Sequence, residues 1–315
     1  MASELPLGLL YKALERSLVC DMHERWDVLV VDLDGTLLCG RGQVSDKNRR
    51  SFEAVSTVGI EIVVATGRCF AECRHILDTI RHEGASIVAG GSQLCNDKGT
   101  AIVSDPLDEQ IAREVAEQVL ASDLRLLLLK DASKCKSQYV LVGDAPLHRA
   151  SSWWFNSMDI PLLEVDTIEE DPWPQHTLRA GAVAEAQQLE SAVGILVDQL
   201  QTRAKLQHWS AVTSSEATGS QTHLLEVFSA SVNKWTMLQK HMGDHFDCRR
   251  IAAIGDGLND VEVLQEAGLS IAMSNASSFV QSHADLISGH HNEDGFAEAM
   301  DKWILGNGLN SEQHA

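Results

Sequence analysis

Apolar residues follow two rhythms along this chain. Short unbroken runs, rich in β-branched side chains, alternate with stretches where apolar positions recur every three or four residues. "DVLVVDL" (27–33), "IEIVVAT" (60–66) and "ASIVAGG" (85–91) are runs of the first kind. They predict strands buried on both faces. "SDKNRRSFEAVSTVG" (45–59) and "CFAECRHILDTIRHEG" (69–84) are of the second kind and predict helices. Ser45 is placed to cap the first, Gly59 to stop it, and Gly84 to end the second. Buried strands alternating with amphipathic helices predict a parallel sheet covered on both faces, a doubly wound α/β core.

After residue 105 the rhythm changes. "LDEQIAREVAEQVLASD" and "EAQQLESAVGILVDQLQTRA" predict helices, while "SQYVLVGD" and "TLRAGAVAE" predict shorter, half-polar strands. Trp- and Pro-rich stretches separate them. "QHWSAVT" and "THLLEVFS" are expected to pair antiparallel, with "SSEATGSQ" as their turn. This mixture predicts an α+β unit inserted into the first domain. From Val232 the doubly wound pattern resumes with "NKWTMLQKHMGDHF", "RRIAAIGD", "NDVEVLQEAG" and "LSIAMS". The expected organisation is an N-terminal helical extension over 1–26, a Rossmann-like core from 27–105 and 218–315, and a cap over 106–217.

Composition narrows the partners. The formal net charge is −20, which leaves no basic footprint for nucleic acid or an anionic membrane. An anionic ligand would need local attraction from a metal, a lysine or backbone amides. No apolar run is long enough to span a bilayer, and the N-terminus lacks the basic start of a signal peptide. Seven scattered cysteines suit reduced thiols in a cytoplasmic protein.

Chemistry gathers at the predicted strand ends. In open α/β sheets, ligands bind beyond the carboxyl ends of the strands. The first strand runs into Asp32 and Asp34, the second into Thr66 and Gly67, and a late one into Asp256, Asn259 and Asp260. Side chains two apart on a strand point the same way, so Asp32 and Asp34 are expected to repel each other. Asp256 would add to that repulsion, and a hard cation such as Mg²⁺ relieves it. The remaining parts suit phosphoryl transfer, which needs alignment and charge stabilisation. Thr66 and the Gly67 amide can hold phosphate oxygens, and Lys234 can supply positive charge. Asp32 can attack phosphorus and Asp34 can shuttle the proton.

"DLDGTLL", "VVATGR", "SVNKWTML" and "IGDGLND", in this order, resemble the four signatures of the haloacid-dehalogenase-like phosphatase superfamily. The large insert resembles the class IIB cap of its Cof-type branch. The resemblance covers the chain from about residue 27 onward. It implies Asp32 as nucleophile and Mg²⁺ ligand, and Asp34 as acid/base that binds Mg²⁺ through its backbone carbonyl. It implies Asp256 as a further Mg²⁺ ligand, with Asp260 supporting the site from behind. The Leu33 backbone, Thr66, Gly67, Lys234 and Asn259 would hold phosphate. The implied substrate is a small phosphorylated metabolite, with sugar phosphates foremost. A phosphosugar mutase and a non-catalytic sugar-phosphate binder share the same pocket as alternatives; oligomeric state has no signature in the sequence.

Two departures stand out. Gly90-Gly91-Ser92 replaces the family's usual Asn-Gly-Ala, and Trp235 follows the lysine where glycine is usual. Trp235 is expected to pack against the cap or the extension. "DLDGTLL" lacks the third ligand and closing glutamate of an EF-hand calcium loop. Trp153, Trp154 and Trp173 are expected in cap packing or an oligomer contact, Arg179 in an ion pair, and His290–His291 in a plain loop. Cys69 has no evident base to make it a nucleophile.

Overall fold

The computed structural model describes residues 26–158, 160–210 and 222–306. The N-terminal extension and the turn expected at 214–221 lie outside the described residues. The core sheet contains β1 (Val28–Val31), β2 (Glu61–Ala65), β3 (Ser86–Val88), β4 (Gln93–Cys95) and β5 (Ala101–Ser104). After the insert it gains β12 (Ile251–Gly255), β13 (Leu269–Met273) and β14 (Leu286–Ser288). Its order is β14-β13-β12-β1-β2-β3-β4-β5. The six strands from β14 to β3 are parallel, as the unbroken apolar runs predict, while β4 and β5 add an antiparallel edge.

Two faces of this sheet are buried. Leu29 and Val31 pack under α1 (Asp46–Thr57) and α2 (Phe70–Thr79). Val28 and Val30 face the other way, against helices that follow the insert. Ser45 caps α1 as expected, accepting from the Asn48 amide. The second helix stops at Thr79, before the predicted Gly84, because Arg81 turns into the left-handed region at φ 52°.

The insert folds as a second sheet with two helices on one face and one on the other. Its helices are α3 (Glu109–Ala121), α4 (Arg149–Met158) and α5 (Ala186–Leu200). Its strands are β6 (Leu126–Lys130), β7 (Tyr139–Val142), β8 (Leu162–Val165), β9 (Thr177–Glu185), β10 (Ala204–Ser210) and β11 (Thr222–Ser229), in the order β10-β11-β9-β6-β7-β8. Leu126, Leu128, Val140 and Val142 pack with α3 and α5. The alternate residues Leu129, Tyr139 and Leu141 pack with Phe155 of α4 and with Cys69 and Ala89 of the core. The period-two alternation thus turns one face of the cap sheet onto the core.

The expected pairing of "QHWSAVT" with "THLLEVFS" is present as β10 against β11. However, β11 also pairs with β9 over Thr222–Val227. The boundary at 218 is therefore too early: the strand that follows belongs to the cap, because its hydrogen bonds are there. The second core segment starts after Ser229, continuing into α6 (Lys234–Met242), α7 (Val261–Glu266), α8 (Ser278–Gln281) and α9 (Gly295–Ala299). Trp235 of α6 is buried with the core helices and stands edge-on to Phe246, 5.1 Å between ring centres. Its packing partners among the described residues belong to the core.

Candidate active site

The strand order reverses at β1, which pairs with β2 on one side and β12 on the other. In register, Val31 lies between Val64 and Ile254, so the residues just beyond these strands share one rim. Asp32 follows β1, Thr66 follows β2 and Asp256 follows β12. This is the crevice at a topological switch point where α/β sheets place ligands.

Three carboxylates meet there. One oxygen from each of Asp32, Asp256 and Asp260 lies within 4.8 Å of the others. Lys234, the first residue of α6 and fully buried, donates to Asp32 Oδ1 at 2.7 Å and to Asp260 Oδ1 at 2.6 Å. Asp260 Oδ2 accepts the backbone amides of Asp256 at 3.2 Å and Gly257 at 2.9 Å. Both Asp260 oxygens are thereby committed to holding the lysine and the turn. Asp256 is aimed by the Thr36 hydroxyl at 3.1 Å on Oδ1 and the Asn275 amide at 3.0 Å on Oδ2. Asn275 also donates to the Gly35 carbonyl at 2.9 Å. Gly35 has φ 78°, and a Cβ there would stand 2.1 Å from Asp256 Oδ2. Only glycine lets the first motif turn this close to the second acid.

The electrostatics follow from burial. Burial pushes the Asp32 carboxyl well above the ordinary range, the Asp260 charge adds to that, and Lys234 opposes it. Burial and the Asp260 charge push Asp256 up to about 7. Burial works against the Lys234 charge, but Asp260 and Asp32 outweigh it and hold its pKa above the usual lysine value. One lysine therefore does not neutralise the cluster. A second positive charge is what it lacks, and Asp32 and Asp256 retain carboxylate lone pairs facing each other to bind it. The donor set is all-oxygen, which fits a hard divalent cation.

Asp34 departs from expectation. The strand ends at Val31, so the i,i+2 rule no longer governs the pair. Asp32 is buried while the Asp34 side chain is half exposed and turns to Arg68. The guanidinium grips it through Nε at 2.7 Å and Nη2 at 2.6 Å. The crowded acids are Asp32, Asp256 and Asp260, not Asp32 and Asp34.

The remaining predicted residues line the same crevice. Thr66 Oγ1 accepts the Arg68 amide at 3.2 Å, closing a short turn; the helix cap is Cys69, not Thr66. The Asn259 amide stands 3.5 Å from where a Gly67 side chain would begin. Leu33 is buried, and its carbonyl accepts the amides of Thr36 and Leu38. The Gly90-Gly91-Ser92 turn lies beside the start of α6: a Cβ at Gly91 would stand 2.4 Å from the Asn233 carbonyl and 2.8 Å from the Lys234 backbone nitrogen. Burial pushes the Cys69 thiol well up, so it stays protonated. Arg179 is ion-paired with Glu226, as expected. His290 and His291 are not in the plain loop expected: His290 caps, and His291 opens, a short 3-10 turn over His291–Glu293, and His291 Nδ1 meets the Leu38 carbonyl at 2.8 Å.

Thr36, Arg68, Glu72 and Asn275 are not among the predicted site residues. Thr36 and Arg68 sit inside the quoted motifs, and Asn275 lies just past β13 on the same rim, so position relative to a strand end could have flagged all three. Glu72 carries no such signal.

A family model for haloacid dehalogenase-like hydrolases matches residues 29–300. The chain belongs to this family, among its phosphatases. The chain is 26% identical over 287 residues to the 5-amino-6-(5-phospho-D-ribitylamino)uracil phosphatase of Bacillus subtilis, covering 88% of this chain and 96% of that one. A haloacid dehalogenase-like hydrolase from Bacteroides thetaiotaomicron has the same fold, with TM-score 0.71 at 23% identity over 88% of this chain and 99% of that one. A subclass IIB sugar phosphatase matches with TM-score 0.70 at 16% identity, over 88% and 98% of the two chains. The family is the one expected, with the Rossmann-like core and α+β cap. No helix among the described residues is long and apolar enough to cross a membrane.

Proposed function

We propose that this enzyme is a Mg²⁺-dependent hydrolase of small phosphomonoesters, chiefly sugar or polyol phosphates, acting through an aspartyl-phosphate on Asp32. The observation that carries this reading is the buried Asp32–Lys234–Asp260 arrangement opposite Asp256, which presents one aspartate with an excess of negative charge around it. Two of the similar proteins support the choice of sugar and polyol phosphates. A ribitylamino phosphate and a sugar phosphate both carry phosphate on a hydroxylated carbon chain.

Asp32 and Asp256 would hold the cation, together with the Asp34 carbonyl. When bound, it would neutralise the carboxylates and phosphate oxygens and leave Asp32 free to approach phosphorus. Thr66, Gly67, Asn259, Lys234 and the Leu33 backbone hold the phosphate, and Asp260 keeps Lys234 in place. An Asp32 oxygen attacks phosphorus and the ester P–O bond breaks. Asp34 gives the departing alkoxide its proton, then takes one from water. That water attacks phosphorus, the bond to Asp32 breaks, and orthophosphate leaves. The half-exposed position of Asp34 suits an acid that faces the leaving group. The Arg68 grip must then give way, or share the carboxylate, as substrate enters. Location in the cytoplasm is part of the same reading and agrees with the free thiols of all six described cysteines.

The test is a phosphate-release screen over sugar, polyol and nucleoside phosphomonoesters, with and without Mg²⁺. Mg²⁺-dependent release from sugar or polyol phosphates is expected. Rearranged sugar phosphate with little free phosphate would make the enzyme a mutase.

The raised carboxyls also set a pH dependence. In the metal-free protein, Asp256 binds a proton more tightly folded than unfolded, up to about pH 7. Its contribution to stability is therefore favourable at low pH and is lost as pH rises from about 4 to about 7. A cation that binds the ionised form restores that loss only where the group is ionised. Mg²⁺ is expected to raise the melting temperature by several degrees at about pH 8 and by about 1 °C or less at about pH 5.5. Scanning fluorimetry with and without Mg²⁺ at the two pH values reads this difference directly. An equal rise at both would contradict it.

A further inference from the structure

Glu72 sits in the first turn of α2 and is buried, 3% exposed, against the face of the cap. A carboxylate in that position needs donors for both oxygens. Its Oε2 accepts the Cys69 amide at 2.8 Å, which closes the start of its own helix. Its Oε1 accepts two donors from the cap: the Tyr139 hydroxyl of β7 at 2.9 Å and the Trp154 indole N–H of α4 at 2.8 Å. Two of its three partners therefore leave if the cap moves.

Both cap donors lead back to the catalytic crevice. The Tyr139 hydroxyl also accepts from Arg179 Nη2 at 3.0 Å, and Arg179 Nη1 reaches the Gly67 carbonyl at 3.3 Å. Glu226 of β11 holds the same guanidinium from behind. The Trp154 ring lies under the Arg68 guanidinium, 4.8 Å from its centre, and Arg68 grips Asp34. Burial pushes the Tyr139 hydroxyl well up, so it keeps the proton that it donates to Glu72. One route thus ends on the phosphate-binding turn and the other on the acid/base. Around them, Cys69 and Ala89 of the core pack with Leu129, Tyr139, Leu141, Phe155 and Leu178 of the cap. The polar contacts are thereby enclosed in a mixed apolar cluster.

We propose that Glu72 is the docking point of the cap, and that the closing of Tyr139 and Trp154 onto its carboxylate sets the Gly67 turn and Arg68 for reaction. Glu72, Tyr139 and Trp154 are positioning residues in this scheme; they touch neither phosphorus nor the leaving oxygen. The kinetic part rests on the phosphatase reading, while the docking part stands without it. A closed cap and a correctly placed phosphate turn become one event, because the same hydroxyl serves both.

Tyr139→Phe removes that hydroxyl and keeps the ring. Trp154→Phe removes the N–H and keeps an aromatic face for Arg68. Amide hydrogen exchange in the full chain reads the docking directly. In both variants, residues 66–72 are expected to exchange about tenfold faster, while residues 251–273 on the far side of the sheet do not change. With p-nitrophenyl phosphate, kcat is expected to fall about tenfold and KM to move less than about threefold. Should Tyr139→Phe unfold, Trp154→Phe carries the same comparison. Unchanged exchange in 66–72 in the folded variants would overturn the proposal. A wild-type chain that releases no phosphate would overturn the phosphatase reading, and the exchange comparison would still decide the docking.

Discussion

Asp32→Asn is expected to abolish phosphate release, by about ten-thousandfold or more, without loss of the fold. The amide keeps the shape of the side chain but has no carboxylate oxygen to attack phosphorus. Lys234 retains Asp260 at 2.6 Å, so the buried ammonium keeps a partner. The charge removed is one that burial and Asp260 already oppose. In the metal-free protein the melting temperature should therefore hold or rise while activity disappears. That opposition, between an arrangement good for folding and one good for chemistry, marks a functional site. Turnover and thermal melts on the same preparation check it. Residual activity near that of the unsubstituted protein would remove Asp32 from the reaction.

Lys234→Met is expected to lose stability and activity together. Lys234 is fully buried and is shared by two carboxylates at 2.7 and 2.6 Å. Its removal leaves both acids buried without a counter-charge, which typically costs about 3–5 kcal/mol. For a core of this size that is roughly a 10 °C fall in melting temperature. Activity is expected to fall as well, since Asp32 loses its anchor and the proposed phosphate site its lysine. Mg²⁺ should return part of the lost stability, because a cation shared by Asp32 and Asp256 relieves some of the same repulsion. A variant as stable as the parent would mean the acids are neutralised by something other than this lysine. Calorimetry with and without Mg²⁺ separates the two.

Much of this site is legible in sequence because acids at the ends of buried strands are expensive and easy to see. The run 28–31 and the run 251–255 are both continuous and apolar, so parallel pairing brings the acids that follow them, Asp32 and Asp256, to the same end of the sheet. Ser45 and Gly59 mark helix ends for reasons of local chemistry, and the helix begins and stops within two residues of them. The side-chain direction of Asp34 is not legible, because the strand ends at Val31, before Asp32. Beyond that point, side-chain direction is set by the Gly35 turn and by Arg68, which is 34 residues away.

The cap shows the other limit. Whether β11 joins the core or the cap depends on its hydrogen-bond partners, and a half-polar eight-residue strand suits either sheet. The short β4–β5 hairpin is masked by its neighbours' stronger pattern. The Glu72 contacts join residues 67 and 82 positions apart, and no local period encodes them.

The central claim is that Asp32 carries the phosphoryl group between substrate and water. Acid quenching during turnover of a sugar phosphate with Mg²⁺, followed by peptide mass analysis, tests it most directly. The account predicts a phosphoryl group on the peptide that contains Asp32, absent in Asp32→Asn. Phosphate release with no label on that peptide, or with label on another, would contradict it.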